Sequence, residues 1–219
     1  MKSFTLALLL CVAIPFALLA GCATPKTEQA GPVVVLATNK GNITLELDRE
    51  KAPLSTQNFL NHARAGHYDN TAFQRVIPNF VVQGGSHTPE LVNLPQSDAA
   101  AGNVDVPIKN EWQNGLKNVK GSVGLGRETD PDSGTREFYI NVADNPKLDT
   151  AREVSGNAGY AVFGRVIDGW ETVEIIRTGA TGPRPEWIRK HGQLVEGEMM
   201  QDVPLELVVI RTVRVQAGR

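Results

Sequence analysis

Residues 73 to 85 read Phe73-Gln74-Arg75-Val76-Ile77-Pro78-Asn79-Phe80-Val81-Val82-Gln83-Gly84-Gly85, two short strand-like runs either side of a corner. Phe73, Arg75 and Ile77 share one parity, and Phe80 and Val82 share the next. Pro78 lacks a donor and Asn79 tolerates turn geometry, so the chain is expected to turn sharply between them. Arg75 is the odd residue. A guanidinium on the same strand face as Phe73 and Ile77 is costly unless something satisfies it. It reads either as an edge residue pointing to water or as a cation displayed on the floor of an apolar groove.

Outward from this stretch the chain alternates as strands do. Val33 to Thr38 is β-branched, 39 to 42 is a turn, and Ile43, Leu45 and Leu47 alternate with polar residues, which predicts a hairpin. A helix follows Ala52-Pro53-Leu54-Ser55, with Ser55 as N-cap, Phe59, Leu60 and Ala63 at helical spacing and Gly66 ending it. Residues 86 to 118 read as a long loop. Gly121 to Gly126 is a glycine-laced strand whose spacing is not that of a phosphate loop, so the glycines point to a close neighbour needing bare backbone. In 137 to 142, Phe138, Ile140 and Val142 face one way and Glu137, Tyr139 and Asn141 the other. Arg136 then falls on the opposite face from Glu137. Residues 160 to 167 form another strand, 169 to 177 a second short helix, and 205 to 215 a closing strand. The Pro- and Gly-rich segment 179 to 204 reads as a loop. The sum is a mainly β chain, and a closed eight-stranded antiparallel barrel capped by two short helices fits it.

With 219 residues, 41% of them hydrophobic, the chain is long enough for one buried domain. A net charge of −2 leaves no basic surplus for nucleic acid. The first 21 residues carry one charge, Lys2, followed by an apolar run from Phe4 to Ala20, the pattern of a secretory signal. Leu19-Ala20-Gly21-Cys22 closes it and resembles the bacterial lipoprotein box. By that resemblance Cys22 is the first mature residue and carries lipid, Ala23 beside it favours the outer membrane of a Gram-negative cell, and residues 22 to 32 tether a domain spanning 33 to 219. Cys11 leaves with the signal, so the mature domain has neither a thiol nucleophile nor a disulfide. The four histidines, His62, His67, His87 and His191, are scattered without metal-ligand spacing. No serine elbow and no carboxylate pair suggests hydrolysis. A site here must work without nucleophile, metal or cofactor, and rotation about an amide bond is one reaction that allows this.

Phe73-x-Arg75-Val76-Ile77-Pro78-x-Phe80-x-x-Gln83-Gly84-Gly85 resembles the signature of the cyclophilins, the peptidyl-prolyl cis-trans isomerases, and most closely their bacterial periplasmic branch. Further matches follow in order: Gly41-Asn42-Ile43, Ala52-Pro53 with Asn58-Phe59, Gly66-x-Tyr68-x-x-Thr71-x-Phe73, Pro107-Ile108-Lys109-Asn110-Glu111, Phe138-Tyr139-Ile140-Asn141 and 160 to 166. The resemblance covers 33 to about 178 and implies the barrel fold, no cofactor, and proline-containing peptides of unfolded or surface proteins as partners of a monomer. It implies Arg75 as catalytic group. It implies Phe73, Phe80, Val81, Tyr139 and Leu148 as the proline pocket, with Gln83 holding the arginine and Gly126 and Arg127 beside the peptide backbone. Glu137 stands where the family usually has Gln, Tyr139 where it has Phe, Lys147 where animal members have Trp, and Tyr160 where they have His. The last two imply weak cyclosporin binding. Glu137 is expected to compete for the Arg75 guanidinium and Tyr139 to add a polar group to the pocket, so a proline-peptide binding module with weak catalysis is the alternative.

Overall fold

The computed structural model describes residues 31–94 and 105–216. The signal, Cys22 and most of the tether lie outside these, as does part of the loop after Gln83. The expected hairpin is β1 (Val33–Thr38) against β2 (Gly41–Leu47), paired from Val33↔Glu46 to Thr38↔Gly41. Seven further strands complete the main sheet: β3 (Thr71–Phe73), β4 (Arg75–Ile77), β5 (Val81–Gly84), β6 (Ser122–Leu125), β7 (Phe138–Asn141), β8 (Val162–Asp168) and β11 (Val208–Val215). Their order is β3-β11-β1-β2-β8-β6-β7-β5-β4, all antiparallel. The two end strands, β3 and β4, are consecutive in the chain and separated only by Gln74. One run, 71 to 77, therefore supplies both edges, and the sheet is a nearly closed barrel of eight strand segments once that run is counted as one. Closure removes the free edges that an open sheet must protect.

Gln74 is where the sequence period fails. Phe73 and Val76 are both wholly buried in the barrel interior, three positions apart, so the face switches at the break. An uninterrupted strand keeps the same face only at even separations. The turn after β4 does follow expectation. Asn79 adopts φ +59°, and the Phe80 N–H donates to the Ile77 carbonyl at 3.1 Å, with Pro78 at the second position.

Side chains from both helices meet those of the strands inside. α1 (Pro53–Arg64) inserts Phe59, Leu60 and Ala63, and α2 (Trp170–Arg177) inserts Val173 and Ile176. Phe59 sits 5.4 Å from the rings of Phe138 and Phe163 and 4.9 Å from Tyr68. Such aromatic contacts add about 0.5–1.5 kcal/mol each beyond burial. Ser55 is not the N-cap of α1. The helix begins at Pro53, and the Glu111 carboxylate, from the distant loop, accepts from the N–H groups of Leu54 (3.0 Å) and Ser55 (2.8 Å) and from Ser55 Oγ (2.7 Å). A carboxylate satisfies the orphan donors and suits the positive end of the helix dipole.

Residues 179 to 204 are not a loop. β9 (Thr181–Lys190) and β10 (Gln193–Pro204) form a separate two-stranded hairpin. Prolines at 183 and 185 are tolerated because a two-stranded ribbon is all edge. His191 (φ +50°) and Gly192 (φ +80°) make its turn, the two positive φ angles that a tight hairpin needs. The hairpin docks on the loop after β5, with the Trp187 N–H on the Leu91 carbonyl and the Asn93 N–H on the Trp187 carbonyl, both at 2.8 Å. Among the described residues no helix is long and apolar enough to cross a membrane.

Candidate active site

β4, β5, β7 and β6 lie side by side, and their register sets one row across the barrel's outer face. Arg75 pairs with Gln83, Gln83 with Tyr139, and Tyr139 with Gly124. Arg75 is half-buried, neither solvated like an ordinary edge residue nor sunk in the core. Its Nη1 donates to Gln83 Oε1 at 3.1 Å. The glycines after Gln83 follow from crowding. A Cβ on Gly84 would stand 2.9 Å from the Phe73 ring, and Gly85 holds φ +100°.

Beside this row is a small apolar cluster distinct from the core. Val81, Tyr139 and Leu148 are buried in it, and Phe80 and Tyr160 are partly buried against it. Leu148 sits on a 3-10 turn, Pro146–Asp149, tied to Tyr160 by the Tyr160 N–H on the Leu148 carbonyl at 2.8 Å. The Tyr139 and Tyr160 rings meet edge-on at 6.3 Å. The expected pocket residues thus come together, with one exception. Phe73 is wholly buried in the interior, 5.9 Å from Phe138, and is no part of this cluster. The break at Gln74 sends it inward.

The Tyr139 hydroxyl is not loose in the pocket. It donates to Asn118 Oδ1 at 2.7 Å, and Asn118 also receives the Asn141 amide at 3.0 Å and donates to Asp149 Oδ1 at 2.9 Å. Burial, with Tyr160 and Asp149 nearby, pushes the phenol well above its usual range, so it stays a neutral donor. Gly124 makes room for it, since a Cβ there would lie 2.2 Å from Tyr139 Cζ. The bare-backbone reading of the glycine-laced strand holds at this residue. Nothing local in the sequence marks Asn118 as the hub.

Glu137 does not take the guanidinium. Its Oε1 accepts from Gln83 Nε2 at 2.8 Å, Gln74 Nε2 at 2.5 Å and Ser86 Oγ at 3.2 Å. Burial raises the carboxyl's pKa, and the hydrogen bonds from Gln83 and Ser86 and the charge of His87 oppose that rise. Gly126 is buried, with its N–H on the Glu137 carbonyl at 2.7 Å. Arg127 lies over the Tyr160 ring at 4.2 Å and donates to the carbonyls of Ser155, Ala158 and Gly159, clamping the loop that carries Tyr160.

The histidines are less scattered than their spacing suggests. Ligating atoms of His62, His67 and Asp105 lie within 4.8 Å of one another. Arg136, on the opposite face from Glu137 as expected, donates to both Asp105 oxygens, so that carboxylate already holds a cation. His62 is buried, and desolvation, with Arg136 and His67 nearby and Asp105 opposing, lowers its pKa from 6.5 to about 4. The folded state therefore binds this proton more weakly than the unfolded chain. The stability His62 contributes is complete above pH 6.5 and is lost as pH falls toward 4, roughly 3 kcal/mol in all. Thermal unfolding from pH 7 to 4.5 should show this extra slope in the wild type and not in His62→Leu.

A nearly closed antiparallel barrel with a half-buried arginine beside a small aromatic and aliphatic cluster on its outer face sets the class of fold and site. The comparisons agree with that class. The sequence profile of the "Cyclophilin type peptidyl-prolyl cis-trans isomerase/CLD" family matches residues 33–214. A peptidyl-prolyl cis-trans isomerase from Streptomyces antibioticus is 41% identical over 83% of this chain and 97% of its own length. Peptidyl-prolyl cis-trans isomerase B from Escherichia coli is 38% identical over 84% and 99%. Among solved structures, a cyclophilin type isomerase from Cryptosporidium parvum, 20% identical, has a TM-score of 0.61 over 86% of this chain and 99% of its own. The chain belongs to the cyclophilin-type peptidyl-prolyl cis-trans isomerases.

Proposed function

We propose that this isomerase turns Xaa-Pro bonds of extracytoplasmic polypeptides, with Arg75 as its catalytic residue and the cluster of Phe80, Val81, Tyr139, Leu148 and Tyr160 as the seat of the proline ring. The observation that carries it is the row Arg75–Gln83–Tyr139, which sets a cation hydrogen-bonded to Gln83 beside a small apolar cluster on the same face. Rotation about a peptide bond faces a barrier of about 18–20 kcal/mol, and the uncatalysed Xaa-Pro bond takes tens to hundreds of seconds. Amide resonance creates that barrier. In the twisted transition state the prolyl nitrogen becomes pyramidal and gains a lone pair. A donor aimed at that nitrogen acts only in the transition state, which is the condition for raising kcat. An apolar seat also strips water from the amide and favours the less polar twisted form. Turnover in milliseconds requires removing roughly 5–7 kcal/mol. A charge-assisted donor with desolvation is of that order.

One relative's structure, from Cryptosporidium parvum, was determined in the presence of the dipeptide Ala-Pro, which supports a proline-containing peptide as ligand here. The apolar N-terminal run closed by Leu19-Ala20-Gly21-Cys22 supports export and lipid attachment at Cys22, an anchor that holds the domain at a membrane surface. Acceleration of cis-trans exchange in an Ala-Pro peptide by pure protein tests the activity. Labelled palmitate taken up by the wild type and not by Cys22→Ala tests the anchor; equal labelling of both contradicts it.

A further inference from the structure

We propose that Glu137 is a positioning residue for Arg75, acting by fixing which end of the Gln83 amide faces the guanidinium. A primary amide can turn over, exchanging its accepting oxygen for its donating nitrogen. Only the oxygen supports Arg75, because a guanidinium has donors and no acceptor. With the amide reversed, N–H groups would confront N–H groups and the arginine would lose its anchor. Glu137 Oε1 faces three donors, Gln83 Nε2, Gln74 Nε2 and Ser86 Oγ, so toward Gln83 it acts as an acceptor. Glu137 therefore takes the Gln83 Nε2 at 2.8 Å and leaves Oε1 to Arg75 at 3.1 Å. A glutamine at this position would carry both ends and impose no direction.

Glu137 is held in its turn. Gln74 donates to it at 2.5 Å from the strand break directly before Arg75, so one carboxylate ties both the break and the side chain that follows. Ser86 Oγ lies 3.2 Å away, 2.9 Å from His87 Nδ1 and 2.9 Å from Gln74 Nε2. His87 Nε2 in turn lies 3.2 Å from Glu186 on β9, so the network runs from the docked hairpin to the arginine. A long side chain that is already oriented loses less freedom on reaching the transition state.

This inference rests on Arg75 being the catalytic group, and its test separates the two. Glu137→Leu removes the acceptor; Glu137→Asp keeps the carboxyl group and draws the oxygen back by one carbon–carbon bond. Both are made in the full chain, assayed on an Ala-Pro peptide, and examined by 15N NMR of the side-chain amides. The wild-type Gln83 amide protons should lie downfield and exchange slowly. In both variants they should move toward free-amide positions, with kcat lower by about tenfold and KM within twofold. An unchanged kcat overturns the proposal. So does a lower kcat with the Gln83 signals unmoved. Should Glu137→Leu fail to fold, Glu137→Asp decides on the same two readouts. Full activity in Arg75→Ala would instead remove the reading beneath it, whereas unmoved Gln83 signals remove the positioning alone.

Discussion

Arg75→Ala should lower kcat/KM for an Ala-Pro peptide by about 10²–10³-fold, the usual cost of deleting one preorganised transition-state donor. The loss should fall on kcat. The apolar seat formed by Phe80, Val81, Tyr139, Leu148 and Tyr160 stays intact in the variant, and the peptide's ground-state contacts with it are kept. Stability should change little. Arg75 is half-buried, and its hydrogen bond to Gln83 is worth about 1 kcal/mol. A variant that loses activity and melts normally separates chemistry from folding. Arg75→Lys should recover only a small part of the rate. An ammonium is a point charge on a flexible stem and cannot keep the Gln83 contact while aiming a second donor.

Asp105→Ala should have the largest effect on the fold. The Arg136 guanidinium is 7% exposed and Asp105 fully buried, and both carboxylate oxygens are engaged. Removing the carboxylate leaves a buried cation without its partner, which costs about 3–5 kcal/mol. For a chain of this size that is a melting temperature lower by roughly 6–20 °C. The double exchange of Asp105→Leu with Arg136→Met should be milder than Asp105→Ala alone, since no charge is then left uncompensated. Thermal denaturation of the three proteins at pH 7 measures this directly. Activity per folded molecule should be nearly unchanged, because Arg136 and Glu137 face opposite ways.

Local pattern carried much of the barrel. The β1–β2 hairpin, the turn at Asn79 and the inward set Phe138 and Ile140 all follow from period and turn chemistry. Where the pattern failed, long-range structure overrode it. Phe73 was expected beside Arg75 because period 2 was carried through Gln74. Closing the barrel on itself breaks the strand there, and no local residue signals that. The β9–β10 hairpin was hidden by its prolines and glycines, although His191-Gly192 is a usable turn signal. At the site, Arg75, Gln83 and the pocket residues could be named from the family resemblance, and their spatial grouping in the structure matches it apart from Phe73. The partners that tune them could not be named. Glu137 was expected to rival the guanidinium, yet an amide stands between them. Asn118 and Glu111 act across tens of residues, where sequence spacing carries no information.

The most direct measurement is two-dimensional exchange NMR of an Ala-Pro peptide held at saturating concentration over the wild type and Arg75→Ala. The wild type should interconvert bound cis and trans forms about 10²–10³ times faster than the variant, with both binding the peptide to within a few-fold. Equal exchange rates in the two proteins would contradict the role given to Arg75.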